Sequence, residues 1–343
     1  MDFVGKVVVD WGAAVTAPLV VIGDRLGLYR AMADGAPVTA AELADRTHTD
    51  ERYVREWLAS QAAGGYCELD DDGRYHLSPE QSVAFTDENS PACVLGGFQA
   101  FVGAMQIAPR LEQAFRTGAG IGWGEQNPEL FGGTARFFRA GYLANLTSSW
   151  LPALDGVTDR LTAGARVADV GCGYGHSTEI MAAAYPQSRF VGFDAHQPSV
   201  DAARKQAANI GLAASLDFQV ATAKDFGGGP YDLIAFFDCL HDMGDPVGAL
   251  ANARANLASD GTVMLVEPFA NDDVHDNLNP VGRVFYSVST MVCTPASKSE
   301  EPATALGAQA GPERTEAVAR AAGFSRFRRA TETPFNIVYE LRA

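Results

Sequence analysis

The sequence predicts an α/β protein with a mostly parallel sheet in its C-terminal half, preceded by an all-helical, winged-helix N-terminal region. Three observations predict it. From Arg166 onward, short apolar runs alternate with helix-compatible segments, the order that places helices on both faces of a parallel sheet. The first of those runs, Val167 to Val170, tips into Gly171-Cys172-Gly173-Tyr174-Gly175. Such a strand, glycine turn and helix start make a ready phosphate or nucleoside pocket, because glycine lets a ligand approach the backbone. Upstream, three helical patterns precede two strand-like runs around Asp70-Asp71-Asp72-Gly73, which is the element order of a winged helix.

Length and composition bound the rest. The chain has 343 residues, more than one compact domain usually needs. Its formal net charge is -16, so a phosphate backbone is repelled overall and nucleic-acid binding would need a local basic patch. The short Arg326 to Arg329 cluster reads as a solvated strand face. Asp2 and Asp10 sit where a signal peptide would be basic, and no apolar run reaches about 18 residues. Val7-Val8-Val9 and Ala17 to Gly23 read instead as buried helix, and no membrane span is expected. Cys67, Cys93, Cys172, Cys239 and Cys293 are scattered without a CxxC pair, so neither a metal site nor a disulfide framework is indicated. Cytoplasmic localisation follows.

In chain order, helical spacing runs from Pro18 to a stop at Gly35. The next helix opens with Thr39 as N-cap and Glu42 three residues on, a capping-box pattern. A third starts at Asp50 and stops at Gly64-Gly65, and the acidic hairpin follows. Its would-be recognition helix sets Arg52 and Arg55 against Asp50, Glu51 and Glu56, and the wing tip carries three aspartates. Phosphate contact needs the opposite sign, so residues 1–90 read as an interaction and dimerisation module. Residues 91–160 read as a helical connector rich in aromatics (Phe98, Phe101, Phe137, Phe138, Tyr142, Trp150) around a Gly118 to Gly124 loop. Such residues are mostly core, although a connector is also a natural wall for a substrate cleft. Residues 161–343 form the α/β domain. Its predicted strands are Val167 to Val170, Arg189 to Phe193, Leu216 to Val220, Leu233 to Phe237 and Val263 to Val266. A terminal hairpin, Phe324 to Thr331 and Asn336 to Leu341, closes the chain.

The glycines choose between cofactors. A dinucleotide turn wants G-x-G-x-x-G, but His176 stands where the third glycine belongs, and no P-loop lysine follows. Asp194 ends the second strand, placed to accept hydrogen bonds from both hydroxyls of a ribose. After the third strand come Ala221 to Phe226, whose backbone and Phe226 ring would flank an adenine. Together, D-x-G-x-G-x-G, the acid after strand two and this third loop resemble the class I S-adenosylmethionine-dependent methyltransferases. The resemblance implies a Rossmann-like seven-stranded methyltransferase sheet with an antiparallel terminal hairpin. It also implies a cofactor set of Asp169, Gly171, Cys172 and Gly173 at the amino-acid end. Asp194, Ala195 and His196 would serve the ribose, and Thr222, Ala223 and Lys224 the adenine, with Phe237 at the end of the fourth strand.

Further on, Leu240-His241-Asp242-Met243-Gly244-Asp245-Pro246 resembles the LHDW-(S/T)-D segment of small-molecule O-methyltransferases, with Met243 in place of the tryptophan. That resemblance implies His241 as general base, and Glu267 and Glu313 (in an ERTE segment) as residues that orient or polarise it. A histidine of unperturbed pKa about 6.5 can assist ionisation of a phenol of pKa near 10. Phe285, Tyr286 and Met291, with Phe101 and Met105, are candidate pocket residues. The Gly- and Ala-rich segment Thr294 to Gly311 has loop composition and is expected to be a mobile lid. The whole layout also resembles actinobacterial and mycobacterial winged-helix methyltransferases. It implies a homodimer built partly on the apolar helix Val4 to Val21, a small apolar or aromatic acceptor methylated at oxygen, and S-adenosylhomocysteine as product. Nitrogen or carbon methylation would change only the acceptor. The competing function is a winged-helix transcriptional regulator that senses S-adenosylmethionine without catalysis.

Overall fold

The computed structural model describes residues 2–211 and 215–343. The chain divides into two compact units, Met1–Gly103 with Pro128–Gly141, and Ala104–Asn127 with Tyr142–Ala343. Residues 91–160 are therefore shared out between the two.

In the first unit, helix Phe3–Arg25 contains the expected apolar helix Val4 to Val21 and joins it, across Pro18, to the helical pattern read from that proline. It is long and apolar enough to cross a membrane by length and composition, so the expectation that no apolar stretch reaches that length is corrected. Val8, Val9, Trp11 and Val15 are exposed rather than buried, whereas Val20 and Val21 pack inward. Helix Ala40–Thr47 opens with the predicted capping box of Thr39 and Glu42. Helix Glu51–Ala63 is capped by Asp50. Strands β1 (Glu68–Leu69) and β2 (Tyr75–His76) pair antiparallel as the wing. The core gathers on Tyr29, whose ring stacks on Phe85 at 4.5 Å and whose hydroxyl donates to Gln61 Oε1 at 2.6 Å.

The second unit is built on a seven-stranded sheet. Its strands are β3 (Arg166–Val170), β4 (Arg189–Asp194), β5 (Leu216–Val220), β6 (Tyr231–Phe237), β7 (Leu257–Pro268), β8 (Arg326–Glu332) and β9 (Asn336–Arg342), in the order β5-β4-β3-β6-β7-β9-β8. The first five neighbours pair parallel, and β9 runs antiparallel to both β7 and β8. Central β3 and β6 are buried almost throughout, as strands covered on both faces must be. Strand order reverses between β3 and β6, so a crevice opens at their C-terminal ends, the place where such sheets bind ligands.

The segment 294–311 is not a free loop. Helix Thr294–Lys298 begins it, and Pro295, Ala296, Ser297, Leu306, Gly307 and Ala308 are buried. Ser297 Oγ donates to Met243 O at 2.7 Å, and Thr304 N–H to Gly244 O at 2.9 Å. Beyond Lys298 the segment has the expected loop structure, pinned as a strap over the turn that carries His241.

Candidate active site

The glycine turn after β3 divides its work among three glycines, all at positive φ. At Gly171 a Cβ would sit 2.7 Å from Cys239 Sγ, and at Gly175 it would collide with the Phe218 ring. Those two are needed for packing against the protein itself. Gly173 is the one whose Cβ would meet nothing within 4 Å, so the open face of the turn lies there. Gly175 supplies the close helix–sheet approach that the dinucleotide pattern assigns to the residue occupied here by His176. Gly171 N–H and Cys172 N–H both donate to Phe193 O, at 2.7 and 3.0 Å, which ties the turn to β4. Cys172 is buried beneath it.

Asp169, fully buried in β3, accepts from Ser177 Oγ at 2.6 Å and Thr178 Oγ1 at 2.7 Å through Oδ2. Its Oδ1 has no hydrogen-bond partner. Burial pushes its pKa up to about 6, against the two hydroxyl bonds that lower it. Asp194 ends β4. Its Oδ2 accepts from Gly173 N–H and its Oδ1 from His196 N–H, each at 2.8 Å. Burial raises its pKa, opposed by those two backbone bonds. Each carboxylate oxygen keeps a further lone pair, so the group is held in place with acceptor capacity to spare.

Around Asp194, Ala195 is exposed and His196 Nδ1 lies 2.8 Å from Ser199 Oγ. The loop 118–124 passes close by, since a Cβ on Gly124 would lie 3.4 Å from His196 Cδ2. Beyond β5, Thr222 Oγ1 donates to Asp225 Oδ2 at 2.6 Å, Ala223 O accepts from Asn252 Nδ2, and Lys224 Nζ lies 3.7 Å from Asp245 Oδ2. Phe226 is only 2% exposed and packs on Phe193. It belongs to the core, so the expectation that its ring flanks an adenine is corrected.

His241 sits in a short 3-10 turn just past β6. Cys239 Sγ donates to Val170 O at 3.2 Å, so this turn rests directly against the end of β3 and the glycine turn. The His241 Nδ1 lies 2.6 Å from Glu267 Oε2 at the end of β7. The carboxylate accepts, which makes Nδ1 the N–H bearing nitrogen by the logic of the network. Nε2 lies 3.1 Å from Asp242 Oδ1. His241 is 3% exposed. Burial lowers its pKa, but the carboxylates of Glu267 and Asp242 outweigh it and leave the imidazole well above its ordinary value.

Three residues of this cluster are not singled out by the sequence. Asp238, at φ +50, accepts from Asn336 Nδ2 at 2.7 Å. Burial drives its pKa well up, with Glu267 adding to the effect. Only its position, an acid ending a wholly apolar strand as Asp194 does, could have pointed to it. Tyr142 packs its ring 5.3 Å from Phe237 and is acted on electrostatically by Asp238 and Asp169. Cys293 lies beside His241 and Asp242; burial pushes its thiol up to about 12.

Glu313, by contrast, is exposed, and its backbone N–H donates to Asp272 Oδ1 at 2.8 Å. The groups acting on His241 are Glu267, Asp242 and Cys293. Phe285, Tyr286 and Met291 are half-buried in the second unit. Of the other two candidate pocket residues, Phe101 falls in the first unit and Met105 in the second.

Residues 161–311 match a methyltransferase-domain family, and residues 13–87 match an Rv2258c-like winged helix-turn-helix domain. This chain carries a methyltransferase domain behind a winged helix. No curated protein sequence matches it significantly. Among solved structures, the mitomycin 7-O-methyltransferase MmcR is 19% identical, with 99% of this chain and 97% of that one covered and a TM-score of 0.71. Human N-acetylserotonin methyltransferase with S-adenosylmethionine is 17% identical, with 100% and 98% covered and a TM-score of 0.70. A putative O-methyltransferase from Nostoc punctiforme is 16% identical, with both chains fully covered and a TM-score of 0.74. At these identities the likeness establishes the fold.

The methyl donor of such a domain is S-adenosylmethionine, and the residues of the methyltransferase domain fit it. The spare lone pairs of Asp194 suit a ribose diol. The open face at Gly173 leaves room for backbone approach, and the buried, unpartnered Asp169 Oδ1 on the same turn-bearing strand has the charge to stabilise an ammonium group.

Proposed function

We propose that this methyltransferase transfers a methyl group from S-adenosylmethionine to an oxygen of a small apolar or aromatic acceptor, with His241 as general base and S-adenosylhomocysteine as product. The observation that carries the reading is the His241–Glu267 pair, held at the C-terminal edge of β6 and against the glycine turn by Cys239. When bound, S-adenosylmethionine supplies an electrophilic sulfonium methyl, so the protein's part is to place the acceptor and remove its proton. Glu267 fixes the imidazole with Nδ1–H pointing to its carboxylate, which leaves Nε2, 3.1 Å from Asp242 Oδ1, as the nitrogen that would take the acceptor's proton. Asp194 and Gly173 would hold the ribose end, and Asp169 the amino-acid end. The residues around Thr222, Ala223 and Lys224 would line the adenine through their backbone, since the Thr222 and Lys224 side chains are engaged by Asp225 and Asp245.

One of the named similar structures is a mitomycin 7-O-methyltransferase and another a putative O-methyltransferase, which supports an oxygen acceptor. The regulator reading is disfavoured by the first unit. Arg52 lies 2.6 Å from Glu56, and Arg55 is paired with Glu51, so the would-be recognition helix neutralises its own cations. We read residues 1–90 as an interaction and dimerisation module, with residues 91–160 as the connector to the catalytic domain. All five cysteines are free, in keeping with a reducing cytoplasm.

The test is incubation of the protein with labelled S-adenosylmethionine and a cell-extract metabolite pool, read by mass spectrometry, for wild type and His241→Ala. We expect a methylated oxygen-bearing metabolite with wild type. With the variant we expect loss of turnover of about 10²-fold or more while S-adenosylmethionine binding is retained. Full activity in His241→Ala would refute the base assignment.

A further inference from the structure

Sequence spacing shows no metal motif, because Cys293 lies far along the chain from His241 and Asp242. The fold brings them together. His241, Asp242 and Cys293 each present one ligand atom, and the three atoms all lie within 4.8 Å of one another. We propose that His241 Nε2, Asp242 Oδ1 and Cys293 Sγ form a binding site for a zinc-class divalent cation.

Four features of the site argue for it. The donor set is imidazole, carboxylate and thiol, which suits zinc and its transition-metal neighbours and is poorly matched to calcium or magnesium. The 3.1 Å between Nε2 and Asp242 Oδ1 is close to the roughly 3.4 Å edge of a tetrahedron built from metal–nitrogen and metal–oxygen distances of about 2.0–2.2 Å. Three protein ligands leave a fourth position open, as in sites where zinc binds a small molecule. Finally, Glu267 accepts from the far nitrogen of His241 at 2.6 Å. That is the carboxylate–histidine arrangement that orients a metal-bound imidazole.

The surroundings also leave something to explain. Glu267 and Asp242 face the two nitrogens of one imidazole, with Asp238 acting on it electrostatically. Glu267 Oε1 and Asp238 Oδ2 are buried without a hydrogen-bond partner, and the one neighbour of Asp242 Oδ1 is His241 Nε2. A divalent cation between Nε2 and Oδ1 would bond both and offset the local negative charge. Binding forms a metal–thiolate bond at Sγ and a metal–nitrogen bond at Nε2, and any protons held on those atoms leave to solvent.

The site has a consequence for catalysis that rests on the base reading given above, whereas the binding itself does not. A cation on Nε2 occupies the lone pair that would remove the acceptor proton, so zinc and His241-assisted methyl transfer exclude one another. Zinc added to the active enzyme would then inhibit it, and a chelator would restore it.

The test is titration of the purified full chain with Co²⁺, followed by absorption spectroscopy. We expect one cobalt per chain, a near-ultraviolet thiolate-to-cobalt charge-transfer band, and displacement by Zn²⁺. In Cys293→Ser the charge-transfer band should vanish. If that variant loses its far-ultraviolet circular dichroism, Glu267→Gln serves instead, with cobalt affinity lowered about 10–100-fold. A wild-type spectrum with no thiolate band, a band that survives in a folded Cys293→Ser, or an unchanged affinity in Glu267→Gln would overturn the proposal. None of these readouts depends on methyl transfer, so a failure of the base reading in His241→Ala activity assays would be seen separately.

Discussion

Asp169 sets the tone at the scale of single residues, because burial of its carboxylate costs stability at neutral pH. Burial holds its pKa at about 6 against an ordinary 3.8, so the folded chain binds a proton more readily than the unfolded one. The stability linked to that proton is fully present below pH about 3.8 and is lost as pH rises through about 6. At neutral pH the charged form therefore weighs on the fold by up to about 3 kcal/mol, since each tenfold gain in proton affinity is worth about 1.4 kcal/mol. Asp169→Asn keeps an acceptor for Ser177 and Thr178 and cannot ionise. We expect it to be about 1–3 kcal/mol more stable than wild type at pH 7.5 and no more stable at pH 4, by urea denaturation, while its S-adenosylmethionine affinity falls. Equal stability at both pH values would sink the linkage.

The three glycines divide between ligand and packing. Gly173→Ala should lose only about 1 kcal/mol, the cost of a Cβ at its positive φ with no clash added, and bind the cofactor poorly. Gly175→Ala should instead lose about 1–3 kcal/mol through the clash with Phe218. Calorimetry of the two variants side by side distinguishes ligand-facing from packing glycine. The spacing of these glycines is readable in the sequence. Which of them faces a ligand is not, because that depends on Phe218 and Cys239, which reach the turn from other strands.

At the scale of elements, the sheet is largely legible. Strands buried on both faces appear as largely apolar runs, and β6, the inner part of β7 and β9 announce themselves that way, whereas edge strand β5 alternates, with Asp217 and Gln219 exposed. Two elements outside the sheet are less legible. Pro18 reads as the first residue of a helix, a position it favours, so the pattern from Pro18 to Gly35 and the apolar helix Val4 to Val21 do not read as the one helix Phe3–Arg25. The strap 294–311 is made of Ala, Gly, Ser, Thr and Pro, a composition typical of loops. Here those small side chains let the backbone settle over Met243 and Gly244, where Ser297 Oγ donates to Met243 O and accepts from Ala305 N–H. Ser297→Ala removes both bonds. We expect a loss of about 1–3 kcal/mol for the groups left unpaired and a lower kcat, with cofactor affinity unchanged. A variant whose kcat stays at the wild-type value would show that the strap does not steady His241.

For the whole molecule, the N-terminal helix, expected to be buried in part, is exposed along one face. A soluble chain seldom leaves a row such as Val8, Trp11 and Val15 open to water, and those residues are 54%, 67% and 69% exposed. We take this face as the seat of the proposed homodimer. Val8→Glu with Val15→Glu should convert the dimer to monomer in light scattering, with no change in S-adenosylmethionine binding by the C-terminal unit. A double variant that remains dimeric would place the interface elsewhere. The net charge of -16 makes the companion expectation simple: no salt-dependent retention of duplex DNA at physiological ionic strength.

The insertion of β9 between β7 and β8 also has a bearing on how the protein is made. Its first residue, Asn336, supplies the amide that Asp238 accepts, and its length covers the open edge of β7. Yet β9 follows every other described element in the chain. While the ribosome is still holding that strand, the glycine turn, Asp194 and the strap have all emerged, but β7 has a bare edge and the acid beside the reacting centre lacks its amide. The pocket can begin to form before β9 is made, but the side of it formed by Asp238 and Glu267 waits for that strand.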